Sequence, residues 1–369
     1  MTVEFTPLTA SLIPGCRAFN ERLRSHVTPP FLLPESESAK TPNQAPGGIS
    51  SHHYIAVDQG GEVRGGVFLT EQPGWLQRQT IPLVNVQSPL SEGLVDRKFS
   101  GVSLQMLKFV TSRSPYAYAV GMGSETNPLP RLLKAAGWWV NPVPFEFVVI
   151  SASRFLSEIG PLRSGNRRRV ARAGAVCGLA SVALKAWLLA HPSPALHGYS
   201  LELATSWPNG TDAVWERCRA ELSFSLVRDE RTLADLYPDT QGRLKRFVLR
   251  SGGEIVGWSV ALVTKMNDNS NFGDLVVGTI LDGLAAREHL RAMLALTRNA
   301  LRELGAEVIV TNQTHSDWQV ESRKLGFFSH SSNYLLAVSK AVADALRSEV
   351  GAPDRMHVTR GDGDGRIHL

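Results

Sequence analysis

Gly60-Gly61-Glu62-Val63-Arg64-Gly65 reappears 192 residues later as Gly252-Gly253-Glu254-Ile255-Val256-Gly257. A glycine pair between two strand-like runs signals a tight hairpin, because its central positions need positive φ, which glycine adopts without a steric cost. Further out, Leu132-Leu133-Lys134-Ala135-Ala136-Gly137-Trp138 is echoed by Ser322-Arg323-Lys324-Leu325-Gly326-Phe327, with Gly137 and Gly326 standing 189 apart. Two landmarks at nearly the same spacing argue for one unit written twice.

The segments between these landmarks agree. In the first half, Tyr54–Val57 and Val63–Leu69 flank the glycines as strands, and Pro82–Val86 reads as the next strand. Val102, Leu104, Leu107, Phe109 and Val110 mark a helix, Tyr116–Val120 a strand, Pro130–Ala136 a helix, and Phe145–Val149 a closing strand. In the second half, Arg246–Leu249 and Ile255–Val263 form the hairpin and Asp274–Val277 opens the next strand. Leu290, Met293, Leu294, Thr297, Leu301 and Leu304 fall at helical spacing and stop at Gly305. Glu307–Val310, Trp318–Leu325 and Tyr334–Val338 follow as strand, helix and last strand. The expected class is α/β (of α+β type), with two mixed-sheet domains in tandem joined by a helical linker. The expected bounds are 1–153, linker 154–195, 196–340, and a short helix with a mobile tail over 341–369.

Composition narrows the function classes. In 369 residues, 43% are hydrophobic and 20% charged, enough apolar surface to fold and too little charge for a disordered chain. Cys16, Cys177 and Cys218 give no Cys-x-x-Cys spacing, so neither a zinc ribbon nor a disulfide framework is expected. The ten histidines, His52-His53 included, give no metal spacing, and no metal is expected. Met1–Leu12 has no basic start before an apolar run, which with the cysteines predicts a cytoplasmic protein. The net charge of +5 suits a phosphate-bearing ligand and does not by itself indicate nucleic acid. Arg163, Arg167, Arg168, Arg169 and Arg172 precede the apolar run Ala173–Ala190. That pattern predicts either a connector helix buried between the two domains or a peripheral membrane contact through 163–190. Thr28–Ser51, rich in Pro, Ser and Gly, reads as a flexible loop or a substrate-covering flap.

The element order, the Gly-Gly hairpins and the penultimate helices ending in Gly-Trp or Gly-Phe resemble a tandem, two-lobed arrangement of the GNAT acyltransferase superfamily. The resemblance covers most of Met1–Ser153 and Leu196–Lys340. It implies an N-acyltransferase carrying an acyl group, acetyl by expectation, from acyl-CoA to an amine of a small molecule or of an amino-sugar or cell-envelope precursor. The superfamily holds the pyrophosphate of the donor on backbone amides at a helix start, where little side-chain bulk intervenes. Lys98-Phe99-Ser100-Gly101-Val102-Ser103 approaches that pattern, with Arg97 adding charge; Lys stands in place of Arg or Gln and Ser in place of the last Gly. The equivalent Asp282–His289 stretch has no glycine in the required place and carries two acids, so the donor is expected in the first half, with the second shaping the acceptor site.

Under the same resemblance Glu92 is the first candidate base and Glu125, with Asn127 nearby, the second. Asn127–Gly137 contains no Tyr, so the superfamily's usual thiolate donor is missing there, and Tyr116 or Tyr118 would have to substitute. Asp282, Asn312, His315 and Trp318 are the acceptor-binding candidates, with His315 oriented by Asp317, although Ser316 or Asp317 is also a natural helix cap. Two other readings compete: an aminoacyl-tRNA-dependent transferase of the peptidoglycan-bridge type, and a catalytically empty scaffold.

Overall fold

The computed structural model describes residues 2–27, 31–36, 48–160, 179–238 and 242–363. In chain order the strands are β1 (Val3–Pro7), β2 (Ser50–Asp58), β3 (Val63–Leu76), β4 (Gln79–Ser91), β5 (Ala117–Val120), β6 (Trp139–Pro142), β7 (Phe145–Val149) and β8 (Tyr199–Ala204). They continue as β9 (Phe224–Leu226), β10 (Lys245–Ser251), β11 (Glu254–Lys265), β12 (Val276–Ala285), β13 (Val308–Asn312), β14 (Phe328–His330), β15 (Leu335–Val338) and β16 (Met356–His357). Two compact units result. The first comprises Met1–Asn141 with Leu335–Val350, the second Pro142–Tyr334 with Gly351–Leu369.

The main path of the first sheet runs β1-β2-β3-β4-β5-β15-β6, and that of the second β14-β7-β13-β12-β11-β10-β8. Read from β8, the second path repeats the first strand for strand. Gly61 (φ 83°) turns β2 into β3, and Gly252 and Gly253 (φ 57° and 90°) turn β10 into β11, as the sequence repeat predicts. In each unit one helix follows the fourth strand. Gly101–Arg113 buries Val102, Met106 and Val110, and Arg287–Glu303 buries Leu290, Met293, Leu294, Thr297 and Leu301 at the predicted spacing.

Three expectations are corrected. Phe145–Val149 does not close the first unit: β7 lies antiparallel to β13, with Phe147 opposite Val310. Conversely β15 pairs with β5 of the first unit, Ala337 opposite Ala119. The two strands trade places because the slots are copies of each other, and a short apolar strand satisfies either one. Second, the described parts of the 154–195 stretch do not form a separate linker segment. Its described helices, Ala152–Glu158 and Leu179–Ala190, belong to the second unit, and the latter exposes Val182 and Leu189. Arg163, Arg167–Arg169, Arg172 and Ala173–Gly178 lie outside the described residues. Third, the tail is structured as far as Gly363. Arg360–Asp362 forms a capped turn in which Gly361 and Asp362 are buried, held by polar partners rather than by apolar packing. In the 28–51 loop, Leu33 is buried and tied by both its amide and its carbonyl to Asn20 at 3.0 and 2.9 Å; 28–30 and 37–47 lie outside the described residues. Among the described residues no helix is long and apolar enough to cross a membrane.

Candidate functional site

In the first unit β4 and β5 are parallel but pair only at Val84–Ala117 and Asn85–Tyr118. Beyond Asn85 they diverge, so β4 turns an unpaired edge toward β5 from Val86 onward. A bulge accompanies the divergence: Gly66 pairs with Leu90 and Phe68 with Gln87, so Ser88 and Pro89 face the single residue Val67. Ser88 sits at φ 46°, and Pro89, without an N–H, cannot continue a ladder. Gly65 is needed opposite the bulge, since a Cβ there would collide with the Leu90 carbonyl oxygen.

The divergence opens a cavity of about 260 Å³. Val86, Leu90 and Ala119 line it from the strands, Met106 from the Gly101–Arg113 helix, and Leu129 and Leu133 from the helix Pro128–Ala135. Among the described residues, Ser91 and Ser103 are the polar side chains lining it, and no charged one does. At its edge the Gly101–Arg113 helix begins without a side-chain cap, Ser100 making no capping hydrogen bond. A Cβ at Gly101 would meet nothing nearer than Gln105 Nε2 at 3.9 Å, so this helix start is sterically open. Arg97, Lys98 and Ser100 are exposed beside it; Lys98 pairs with Asp96 at 3.0 Å and lies 4.7 Å from the Phe99 ring. Uncapped amides plus two cations form an anion-attracting corner. Val102 is fully buried against Val3, Ala56 and Phe99, so it can offer a ligand only its backbone, whereas Ser103 lines the cavity directly.

The two proposed carboxylate bases are placed differently. Glu92 is 5% exposed and both its oxygens are taken: Arg22 Nε lies 2.7 Å from Oε1 and Arg64 Nη1 2.8 Å from Oε2. Arg64 also holds Asp58 at 2.7 Å. Glu92 is thus a strut tying β3 to the loop after β4, not a carboxylate free to take a proton. Glu125 is exposed and paired with Lys134, and Asn127, also exposed, is the N-cap residue of Pro128–Ala135, its side chain donating to the Met122 carbonyl at 3.3 Å. Tyr118, one of the two tyrosines expected to substitute as thiolate donor, is buried at the closed end of the divergence, with partners, Asn85 and Gln72, that sequence reasoning missed. Asn85 and Tyr118 form the last pair there, and the Gln72 amide donates to the Tyr118 hydroxyl at 2.7 Å. Their neighbours Val84 and Ala117 face the cavity-side core, so by alternation this group lies on the opposite face.

The acceptor candidates in the second unit come together, but as interior structure. Arg228, fully buried, bridges Asp282 at 3.1 Å and Asp362 at 2.8 Å, and the Tyr237 hydroxyl donates to Asp282 at 2.8 Å. Burial disfavours the charge on Asp282, but Arg228 outweighs it and holds the carboxyl low, to about 2; burial pushes Asp362 up to about 6. His357 Nε2 stands 3.6 Å from Asp282, and burial together with Arg228 pushes this imidazole down to about 4, so it is neutral at pH 7. Asn312 donates to the Pro144 carbonyl at 3.1 Å and accepts from Arg360 at 3.1 Å, so its amide nitrogen and oxygen each have a protein partner. His315 is itself the N-cap of Ser316–Lys324, its Nδ1 accepting the Asp317 amide at 3.3 Å, and burial lowers its affinity for a second proton. Trp318 is 2% exposed, its ring 3.2 Å from where a Cβ on Gly283 would lie.

The cause of this correction is the C-terminal segment. Gly361 packs so closely on the Tyr237 hydroxyl and Asp282 that any side chain there would collide. A remnant cavity of about 110 Å³ survives beside Cys218, His315 and Trp318, and burial pushes the Cys218 thiol up to about 12, leaving it protonated. Among the described residues no group of three or more His, Cys, Asp or Glu side chains is arranged to hold a metal.

No protein-family model matches the sequence, and no curated protein matches it. Solved structures do. Saccharomyces cerevisiae N-myristoyltransferase with bound myristoyl-CoA aligns over 91% of this chain and 78% of its own, at 10% identity and TM-score 0.51. A GCN5-related N-acetyltransferase from Anabaena variabilis ATCC 29413 aligns over 93% of this chain and 74% of its own, at 10% identity and TM-score 0.53. A tandem GNAT protein from the clavulanic acid biosynthesis pathway covers 91% of this chain and 98% of its own, at 16% identity and TM-score 0.45. On the first two alignments the chain carries the fold of GNAT-type N-acyltransferases, and its two sheets repeat one strand order. The first sheet keeps a cavity of about 260 Å³ where its fourth and fifth strands diverge, and the second keeps only about 110 Å³.

Proposed function

We propose that the chain is an acyl-CoA-dependent N-acyltransferase whose first unit holds the donor and whose acceptor is an amine of a small molecule. The observation that carries this reading is the apolar cleft between β4 and β5, running to an uncapped helix start flanked by Arg97 and Lys98. The dimensions and chemistry fit the donor. An apolar slot with a free strand edge suits a pantetheine arm, whose amides need backbone partners, and the open corner at Gly101 suits a pyrophosphate.

In this reading the amides of Gly101, Val102 and Ser103 bind phosphate oxygens, and Arg97 and Lys98 add charge from the rim. A backbone N–H at the bulge, from Ser88 or Leu90 since Pro89 has none, polarises the acyl carbonyl. The thioester supplies an activated acyl group. The acceptor amine attacks it, a C–N bond forms as the C–S bond breaks, and the thiolate leaves with a proton that the ammonium intermediate gives up. With Glu92 occupied and Tyr absent from Asn127–Gly137, the chain's own contribution is positioning and carbonyl polarisation, with proton transfer through solvent. Acetyl is the acyl group expected, and an amino-sugar or cell-envelope precursor the class of acceptor.

Calorimetric binding of coenzyme A and acetyl-CoA to wild type and to Gly101→Asp tests this. Aspartate fits the open helix start and favours the helix dipole by about 0.3–1 kcal/mol, so folding is kept. Against a pyrophosphate a few ångströms away, its charge costs about 1 kcal/mol per charge pair even in water. Affinity in the low-micromolar range, weakened about 30-fold in the variant, supports the assignment. Equal binding by both proteins, or none by wild type, overturns it.

A further inference from the structure

Arg360, in the second unit, is a half-buried cation that no acid answers. Its Nη1 donates to the Asn312 side chain at 3.1 Å, and its guanidinium carbon lies 5.6 Å from the centre of the Tyr334 ring. Among the described residues, Nε and Nη2 have no hydrogen-bond partner, and Nε is buried. No described carboxylate pairs with the group either: burial lowers its proton affinity, and Tyr334 is what offsets that loss. Elsewhere in the chain the same edge of an arginine is filled. Arg22 sets Nε and Nη2 on the two oxygens of Glu92, at 2.7 and 3.4 Å. Arg228 divides the pair between Asp282 and Asp362, at 3.1 and 2.8 Å, and Arg246 between the carbonyls of Tyr237 and Pro238.

Nε–H and one Nη2–H point the same way in one plane, a fork that matches the two oxygens of a carboxylate. Burying a cation without a counter-charge is costly, and perturbed charges of this kind gather at binding sites. The position agrees. Asn312, which holds Nη1, is the last residue of β13, and its neighbour Thr311 makes the last pair with the parallel strand β12. Ligands of open α/β sheets collect beyond the carboxyl ends of such strands. We propose that Arg360 is the recognition group of a second binding site, which takes the carboxylate of a small molecule on Nε and Nη2, with the Tyr334 ring beside it. No second cation acts on Arg360, so the site offers one positive charge. That matches a carboxylate better than a phosphate monoester, which carries about two negative charges near pH 7. The site belongs to a different unit from the corner at Gly101 and stands whether or not coenzyme A binds there.

Titration of the full chain with sodium acetate tests the proposal, with sodium chloride making up a constant ionic strength so that screening does not change. In wild type isotope-labelled at arginine, the Nε–H resonance of Arg360, assigned by its absence from Arg360→Lys, should shift along a saturable curve of millimolar affinity. Saturation-transfer signals from acetate report binding to the variants. Arg360→Lys keeps the charge and loses the fork, and should bind at least about tenfold more weakly, as should Arg360→Gln. Gly101→Asp, which adds an acid to the anion-attracting corner of the first unit, should leave acetate affinity as in wild type. No shift at Arg360, wild-type affinity in both Arg360 variants, a signal abolished by Gly101→Asp, or inorganic phosphate shifting Arg360 at lower concentration than acetate would each overturn it.

Discussion

Glu92 offers the sharpest test of the first unit. Glu92→Gln keeps shape and size but removes the charge that two guanidinium groups share. The carboxylate is buried, while the side chains of Arg22 and Arg64 are 33% and 17% exposed, so water screens the partners but not the glutamate. A hydrogen bond to a charged group contributes about 1.5–3 kcal/mol, and the amide retains one acceptor while turning an N–H toward the second arginine. Discounting for screening, a loss of about 2–3 kcal/mol follows. For a unit of this size, at about 2–4 °C per kcal/mol, the melting temperature should fall by about 4–12 °C. Thermal unfolding followed by circular dichroism measures this, alongside coenzyme A affinity and the pH profile of turnover at a temperature where both proteins are folded. A strut predicts a lower melting temperature with affinity and profile unchanged. An unchanged melting temperature with turnover down about 100-fold and the alkaline-rising limb gone would make Glu92 the base and refute the reasoning.

Two further outcomes concern the second unit. Burial pushes Glu146 up to about 7, although the Ser322 hydroxyl donates to it at 2.8 Å, so the native state keeps a proton that the unfolded chain releases near 4.5. Stability from this group is therefore full below about pH 4.5 and declines as pH rises to 7; Glu146→Gln should flatten that slope and gain about 1–3 kcal/mol at pH 8, read from urea unfolding at pH 5 and pH 8. Asp362→Ala leaves Arg228 buried with one partner fewer and should cost about 3–5 kcal/mol in denaturant unfolding; a cost below 1 kcal/mol would mean the tail is not held by this pair.

What could be read from the sequence was local. The hairpin glycines, the helical spacing of Leu290 to Leu301 and the open helix start at Gly101 each depend on neighbours within a few residues, and each was legible. The bulge also left a signal, since Pro89 in the middle of a strand run can only sit where the ladder is interrupted. The fate of Glu92 was hidden, because its partners Arg22 and Arg64 lie 70 and 28 residues away in the chain. Of Asp282, Asn312, His315 and Trp318, expected at an acceptor, the first two spend their polar groups on protein partners, while His315 and Trp318 line the small cavity. Asp282 meets Arg228 and Tyr237, 54 and 45 residues away, and Asn312 meets Arg360 of a C-terminal segment whose sequence reads as solvent-exposed chain. Nothing local in Phe145–Val149 or Leu335–Val338 could say which sheet each would join.

That trade of strands sets a timetable for biosynthesis. The amide of Ala117, at the start of β5, donates to the side chain of Ser339, 222 residues further on. At about 5–20 residues per second, a ribosome delivers that partner some ten to forty seconds after β5 emerges. Through that interval β5 waits with a bare edge, and β7 has left its own repeat for a sheet not yet made. A cut at the repeat boundary visible in the sequence would therefore separate β5 from β15 and β7 from β13, leaving each half with an open strand edge.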